Sequence, residues 1–338
     1  MGIAAILIML ARIRFFSFIQ EARRFIVSSS RKHEVQELMP QVISASRRTD
    51  IPAFYADWFV NRLKAGFAFV QHPFTRMLFR VSLRPEDVST IIFWSKNFAP
   101  ILNRLERIEQ TTKNLFFHFT ITANKALEQR VPDFQDAVQD YIYLAKRFSP
   151  EQIIWRYDPI CVTDKLSIEV FEEQFSQCAD LLKGHTRKCI ISFINPYKKA
   201  VNNLKKFANQ ALLDLSSGDK RKYVLRLAER ANKYGIQLFA CCNDELVSET
   251  IKKARCIDGQ YLSAVFNAHI DTRAASSRKE CACTKSMDIG AYDTCAHGCL
   301  YCYATTDKDR ADEALRRHDA EWNSLTKPID ETASSAFM

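Results

Sequence analysis

The chain has 338 residues, of which 47% are hydrophobic and 26% are charged, and it contains 24 phenylalanines. This length and composition exclude an intrinsically disordered protein and predict either one large α/β domain or two ordinary domains. The net charge of +9 permits a polyanionic partner but does not identify one.

Residues 1–40 are predicted to be an N-terminal extension outside the folded core. The apolar run over residues 3–10 is too short to span a bilayer, and no convincing cleavage site follows it. An amphipathic or dispensable extension is one interpretation, and a membrane-touching helix is the alternative. We therefore expect no stable membrane partner.

From residue 41 onward, short apolar or β-branched runs alternate with helical patterns. The predicted strands are 41–45, 67–70, 88–94, 115–122, 152–157, 188–194 and 236–241. This alternation indicates βα units and a largely parallel sheet. Seven strands predict an α/β chain with a (β/α) TIM-like barrel, closed or nearly closed, over residues 41–307. The eight glycines include no adjacent pair, so a nucleotide-binding Rossmann domain is not expected. Residues 308–338 read as a charged helical tail.

Polar residues follow most of the predicted strands. In a barrel, the carboxyl ends of the strands meet on the face where active sites lie. That face would collect Arg47, Arg48, Asp50, Lys96, Asn97, Thr120, Thr122, Arg156, Asp158 and Asn195. Any one of them could instead be a helix cap or a surface charge, as Asp50 before Pro52 illustrates. The predicted catalytic residues are Arg47, Asp50, Lys96, Arg156 and Asp158. Arg156 lies in an apolar run, so it should be buried and paired with Asp158 or with an anionic ligand.

Cysteine usage points to metal chemistry. All eleven cysteines lie at or after Cys161, in a pattern unlike a secreted disulfide framework, so we predict a cytoplasmic protein with reduced thiols. Cys295, Cys299 and Cys302 have the spacing C-x3-C-x2-C within one loop, 281–303. Three thiolates leave one corner of a [4Fe–4S] cluster free for another ligand. The alternative is a structural zinc site, although such sites usually combine two C-x2-C pairs.

This spacing, with Tyr301 before the last cysteine, resembles the signature of the radical S-adenosylmethionine (SAM) superfamily. The resemblance implies that the three cysteines hold a [4Fe–4S] cluster and that SAM binds the fourth iron by its amino and carboxylate groups. It also implies reductive cleavage of SAM to methionine and a 5′-deoxyadenosyl radical, with an electron donor such as a flavodoxin or ferredoxin. The residues expected to bind SAM are Arg47, Arg48, Asp50 and Tyr301.

Longer words in the sequence resemble an uncharacterised bacterial family, a domain of unknown function related to the spore photoproduct lyase branch of radical SAM enzymes. They span residues 41–305 and include SRRTDIPAFYADWF, FWSKN, IIWRYDP, ISFI, CIDG and CACTKSMDIGAYDTCAHGCLYCYA. Two features depart from ordinary radical SAM enzymes. The cysteine loop follows the last predicted strand instead of the first, and the chain has no Gly-Gly-Glu-like strand. A permuted barrel would account for the first departure.

Four further cysteines, Cys242, Cys256, Cys281 and Cys283, lie in polar sequence contexts. They predict either a second, fully ligated [4Fe–4S] cluster or a structural zinc site. Cys161, Cys178, Cys189 and Cys241 are interpreted as core or neutral residues.

Three functions are consistent with these patterns. The leading hypothesis is a radical SAM enzyme that acts on an unknown substrate, with nucleic acid as the first to test. The alternative is a non-catalytic iron–sulfur or zinc protein that binds nucleic acid, which the basic charge and the aromatic residues allow. The third is a barrel hydrolase that uses Asp and Arg, with metal for structure only.

Overall fold

The computed structural model describes residues 39–276 and 278–330. The predicted N-terminal extension therefore lies outside the described residues, except for its last two positions. The strands are β1 (Gln41–Ala45), β2 (Phe67–Gln71), β3 (Leu78–Ser82), β4 (Val88–Ser95), β5 (Leu115–Thr120), β6 (Ile153–Ile160), β7 (Lys188–Phe193), β8 (Gln237–Ala240), β9 (Ile251–Lys253) and β10 (Met287–Asp288). The α-helices are α1 (Ile51–Phe54), α2 (Ala56–Ala65), α3 (Ala99–Leu102), α4 (Leu105–Glu109), α5 (Phe134–Arg147), α6 (Ile168–Leu181), α7 (Lys198–Asn203), α8 (Ser217–Asn232), α9 (Gly259–Phe266) and α10 (Lys308–Arg317).

Eight strands form one sheet in the order β10-β1-β4-β5-β6-β7-β8-β9, while β2 and β3 form a separate hairpin. Every neighbouring pair in the large sheet is parallel. The carboxyl ends of its strands therefore lie along one edge, which is where ligands bind in open α/β sheets.

The sheet is open, so the prediction of a closed or nearly closed (β/α) barrel is wrong. Closure would require the two edge strands, β9 and β10, to pair with each other. Within residues 39–276 and 278–330, β9 pairs with β8 and β10 pairs with β1. In having an open parallel sheet the chain is closer to Rossmann-like proteins than to TIM barrels, although it has no Gly-rich phosphate loop.

One face of the sheet packs against helices. Alternate residues of a strand point to opposite faces, and Phe93, Phe117 and Trp155 share the helical side. The Trp155 ring stacks on Phe175 of α6 with centroids 4.8 Å apart. Burial of each such aromatic side chain stabilises the fold by roughly 2–3 kcal/mol.

The opposite face is covered by one segment of the chain, residues 254–286, which we call the covering segment. Its apolar side chains include Ile257, Leu262 of α9 and Ile270, and they pack against sheet residues such as Ile92 and Phe116. Because this segment already covers the apolar face, the sheet has no need to curl into a barrel to bury it.

The chain continues to pack after the cysteine loop. Of α10 only Ala311 is buried, and Asp307 caps the helix by accepting from the backbone N–H groups of Asp309 and Arg310. Further on, Trp58 Nε1 donates to the carbonyl of Trp322 at 2.9 Å. No helix in the described part of the chain is long and apolar enough to cross a membrane. The domain boundaries at residues 40 and 307 stay a prediction.

Candidate metal and cofactor site

The residues that follow β1 are organised by Asp288, which sequence reasoning missed. Its carboxylate accepts from Ser44 Oγ at 2.7 Å, Ser46 Oγ at 2.8 Å, the Arg47 N–H at 2.9 Å and Arg48 Nε at 3.0 Å. Burial raises the pKa of Asp288, but Arg48 and the other donors outweigh it, so the pKa lies below its ordinary value. Arg48 therefore uses its guanidinium to hold Asp288.

Asp50, which was predicted to be catalytic and to bind SAM, joins three parts of the structure. It caps α1 by accepting from the Ala53 N–H at 3.0 Å. It also accepts from Ser95 Oγ at 2.7 Å and from the Lys96 N–H at 2.9 Å, at the end of β4. His297 Nε2, in the cysteine loop, lies 2.8 Å from Asp50 Oδ2, the oxygen that also accepts from the Lys96 N–H. These contacts give Asp50 a positioning role.

Lys96 and Tyr301 meet at Glu128, a second acid that sequence reasoning missed. Lys96 Nζ lies 3.1 Å from Glu128 Oε1, to which the Tyr301 hydroxyl also donates. Thr122 Oγ1 donates to the same oxygen at 2.5 Å. Burial lowers the pKa of Lys96, whereas Glu128 and Cys299 raise it, and the net shift is upward. Lys96 is therefore a buried cation beside the cysteine loop.

Arg156 is buried and paired with Asp158, as its position in an apolar run predicts. Its Nε and Nη2 atoms donate to the two Asp158 oxygens at 3.1 and 2.5 Å. Its third nitrogen, Nη1, lies 3.2 Å from Cys256 Sγ. Arg156 thus connects a carboxylate at the strand ends to the cysteines of the covering segment.

His118 lies on the same face of the sheet as Arg156. Its ring stacks on Trp94 at 4.9 Å, and its Nε2 lies 2.7 Å from the carbonyl oxygen of Cys256. Burial, helped by Arg156, lowers the pKa of His118 to about 3, so the ring is neutral. Nε2 must then carry the proton, which leaves Nδ1 a buried acceptor with no partner in the described part of the chain. An acceptor of this kind suits a donor group on a ligand.

The loop with Cys295, Cys299 and Cys302 is held on several sides. The N–H of Leu300 donates to the carbonyl of Leu127 at 3.0 Å, and Tyr55 OH donates to the carbonyl of Thr294 at 2.6 Å. Gly298 has φ of +67°, which favours glycine at this turn.

The three cysteines lie within eight consecutive residues of this loop, and the N–H of Cys302 donates to the carbonyl of Cys299 at 3.1 Å. Burial raises the pKa of both Cys295 and Cys299, and a charge on Cys302 raises it further in each. The N–H of Ala304 donates to Cys302 Sγ at 3.3 Å. Hydrogen bonds to cluster sulfurs tune iron–sulfur sites, and this donor would serve that purpose.

No group of three or more His, Cys, Asp or Glu side chains within the described ranges is arranged to hold a metal ion as the side chains stand. A [4Fe–4S] cluster makes a different demand on Cys295, Cys299 and Cys302, because each cysteine binds a separate iron and the sulfurs need not surround one point. The donor set, three thiols on one anchored loop beside a buried lysine, fits such a cluster with one corner left open.

The cysteines of the covering segment come together with the end of β8. Cys242 contacts Cys281, Cys281 contacts Cys283, and Cys283 contacts Cys256. Cys241, which sequence reasoning assigned to the core, contacts both Cys242 and Cys256. Donation by Cys241 and Cys283, with Arg156 nearby, lowers the pKa of Cys256 well below its ordinary value.

The remaining polar residues of the predicted face have smaller roles. Asn97 Oδ1 accepts from the N–H of Ala99, the first residue of α3, at 3.2 Å. Asn195 is exposed, and Thr120 is half-buried at the end of β5. The site residues thus converge at the ends of β1, β4, β5 and β6.

Comparison with known proteins adds one result. The model of a family described as a domain of unknown function, DUF1848, matches residues 42–304. The match begins in β1 and ends just after the cysteine loop, so it includes every candidate site residue described above. A comparison with curated proteins finds no match.

Proposed function

The chain belongs to the DUF1848 family, and we propose that it is a radical SAM enzyme whose [4Fe–4S] cluster is held by Cys295, Cys299 and Cys302. The observation that carries the proposal is that these three thiols occupy one anchored loop beside the buried Lys96–Glu128 pair. With SAM bound, such a cluster supplies one-electron cleavage of the sulfonium to methionine and a 5′-deoxyadenosyl radical.

The side chains around the loop divide into those that position it and those that face a ligand. Asp50 positions the loop through His297, and Arg48 is committed to Asp288. Lys96 is the better candidate to attract the SAM carboxylate, because it is a buried cation close to Cys299. Tyr301 is fixed by its hydrogen bond to Glu128 and keeps the loop against that cation.

The substrate would lie on the sheet face next to this loop. Arg156 and His118 both contact Cys256, at its Sγ (3.2 Å) and its carbonyl oxygen (2.7 Å) respectively. A cation near His118 Nδ1, which has no partner among the described residues, suits a substrate that carries an anionic group and a hydrogen-bond donor. Arg156 and Asp158 hold one another and are both largely buried.

A basic and aromatic surface beside the loop favours nucleic acid as the partner. We call it the lysine–aromatic patch, and it consists of Lys199, Lys206, Phe207, Tyr303 and Lys308. The ring of Phe207 is 46% exposed, with Lys206 Nζ and Lys308 Nζ 4.9 and 5.0 Å from its centroid. Lys199 Nζ donates to the carbonyl of Tyr303, which lies directly after the last loop cysteine. Cations that alternate with exposed rings bind single-stranded nucleic acid through phosphates and stacked bases.

The same patch supports a second candidate function, a non-catalytic iron–sulfur protein that binds nucleic acid. The two candidates differ in one respect, since only the enzyme consumes SAM. Binding of nucleic acid by a cluster-containing protein that leaves SAM intact would select the second candidate.

The cofactor is tested by anaerobic reconstitution of the full chain with iron and sulfide. We expect about four irons in the site and the broad visible absorption of an iron–sulfur protein. The triple variant C295A/C299A/C302A should lose both signals. The control C178A removes a fully buried thiol of α6 and should keep them. A colourless wild-type protein that contains only zinc would contradict the proposal.

A further inference from the structure

Five thiols that lie apart from the cysteine loop form a closed ring. Cys241 Sγ lies 3.9 Å from Cys242 Sγ and 3.4 Å from Cys256 Sγ. Cys256 contacts Cys283, Cys283 contacts Cys281, and Cys281 contacts Cys242, which completes the ring. The separations from Cys241 to Cys242 and to Cys256 are far longer than a disulfide bond of about 2.05 Å.

Two guanidinium groups donate to this ring. Arg156 Nη1 lies 3.2 Å from Cys256 Sγ, and Arg278 Nε lies 3.0 Å from Cys242 Sγ. Thiols gain little from cationic donors, whereas thiolates gain a charge-assisted hydrogen bond. The surroundings of the ring are therefore built for sulfur that carries negative charge, as it does when it binds a metal.

We propose that the thiol ring is a zinc site in which Cys256, Cys281 and Cys283 supply three ligands and the adjacent Cys241 and Cys242 supply the fourth. Four thiolates on one tetrahedral zinc at about 2.3 Å have sulfurs about 3.8 Å apart, and Cys241 Sγ lies at a similar distance, 3.4 Å, from Cys256 Sγ. A cubane cluster would instead place each sulfur on its own iron and hold the sulfurs further apart.

Binding requires only a local change. The thiols contact one another in sequence around the ring, and within the described residues their sulfurs do not point toward a common centre where an ion could bind. Zinc displaces those protons, and rotation about χ1 then turns four sulfurs toward the ion. Four thiolates and Zn²⁺ carry a net charge of −2, which the two arginines offset.

The position of the ring indicates what the zinc does. Cys241 and Cys242 follow β8, Cys256 follows the three-residue edge strand β9, and Cys281 and Cys283 lie at the far end of the covering segment. Apart from α9, this segment has little regular structure with which to hold itself to the sheet. The zinc ties both of its ends to β8 and keeps Arg156 and His118 covered.

The test is the metal content of the full chain purified without chelator, measured by mass spectrometry. We expect one zinc per chain in the wild type and in C178A, and none in C256A or C283A. The C295A/C299A/C302A variant should keep its zinc, so the outcome does not depend on the proposed function.

A second measurement applies if the alanine variants fail to fold. Removal of zinc from the wild type with a chelator should expose four additional thiols to a thiol reagent and lower the melting temperature, and added Zn²⁺ should reverse both changes. A wild-type protein that holds no zinc and takes up none would overturn the proposal. So would about eight irons per chain after reconstitution, because the ring would then hold a second cluster.

Discussion

Two buried carboxylates make most of the polar contacts at the carboxyl edge of the sheet. Asp50 links α1, the end of β4 and the cysteine loop, and Asp288 links β10 to the residues after β1. Each accepts from several donors at once, so its removal leaves those donors buried without partners. The cost of such unmet hydrogen bonds is larger than the net contribution of any one of them.

The first prediction concerns Asp50. We expect D50A to lower the free energy of unfolding by about 3 kcal/mol or more, because it removes a helix cap and leaves several buried donors without an acceptor. D57A is the matched control, because Asp57 is 63% exposed and pairs with Arg104 at the surface. It should cost less than about 1 kcal/mol. Urea unfolding measures both, and equal losses in the two variants would contradict the positioning role of Asp50.

The second prediction concerns Asp288 and pH. Its folded pKa lies below the ordinary value of 3.8, so the stability that its charge contributes is complete above pH 3.8 and is lost as the pH falls further. D288N should therefore be less stable than the wild type by about 3 kcal/mol at pH 7, and the difference should shrink below pH 3.8.

Urea unfolding across a pH series measures this difference. The control is D180N, at an exposed pair with Lys183, which should stay close to the wild type throughout. A stability difference for D288N that does not change with pH would show that the charge of Asp288 is unimportant.

At this scale the sequence predicted some site residues and missed others. Asp158 and Lys96 were found because polar residues that follow apolar runs mark strand ends, and Arg156 because it is a cation inside such a run. Glu128 and Asp288 were missed because they lie in loops or in a two-residue strand, where no period marks them. The only signal for Asp288 was a single acid between two apolar neighbours. Cys241 was assigned to the core because the burial of a strand residue does not reveal which thiols lie beside it.

At the scale of elements, the strands were predictable and their arrangement was not. The seven predicted runs all contain strands of the structure, because β-branched and aromatic residues cluster in them. The open edges could not be foreseen, since β9 and β10 have three and two residues and are too short for an alternating pattern. The covering segment packs against strands that are distant in sequence, and a local sequence pattern does not predict such contacts.

A third prediction tests whether the chain beyond the family match belongs to the folded unit. Leu325 is 4% exposed and packs into the main core, although it lies after the end of the match at residue 304. L325A should therefore lower the free energy of unfolding by about 2–5 kcal/mol. L213A, at a leucine that is 46% exposed, should change it by less than about 0.5 kcal/mol. If L325A behaved like L213A, the C-terminal segment would contribute nothing to stability.

At the scale of the whole molecule, the positive net charge permits a polyanionic partner, and the lysine–aromatic patch is the surface where its binding can be tested. The lysine–aromatic patch lies beside the cysteine loop, where a polyanion would bring its bases close to the proposed radical. Charge alone supplies salt-sensitive binding, and the exposed rings add stacking that is insensitive to sequence.

The fourth prediction is that single-stranded DNA or RNA binds this patch. Fluorescence anisotropy should show affinity that falls linearly with salt on a logarithmic scale. K206A/K308A should reduce that slope by about 0.7 for each lysine removed. F207A should weaken binding by about 1–3 kcal/mol through lost stacking. F74A, at a ring that is 84% exposed but outside the patch, is the control and should bind normally. Equal losses in F207A and F74A would exclude the patch as the binding surface.

The central claim, that Cys295, Cys299 and Cys302 support cleavage of SAM, is tested most directly by 5′-deoxyadenosine. The full chain, reconstituted anaerobically, is incubated with SAM and a strong reductant, and the products are separated by liquid chromatography. We predict 5′-deoxyadenosine and methionine in equal amounts from the wild type and C178A, only with reductant, and none from C295A/C299A/C302A. A wild-type protein that holds its four irons but forms no 5′-deoxyadenosine would contradict the account.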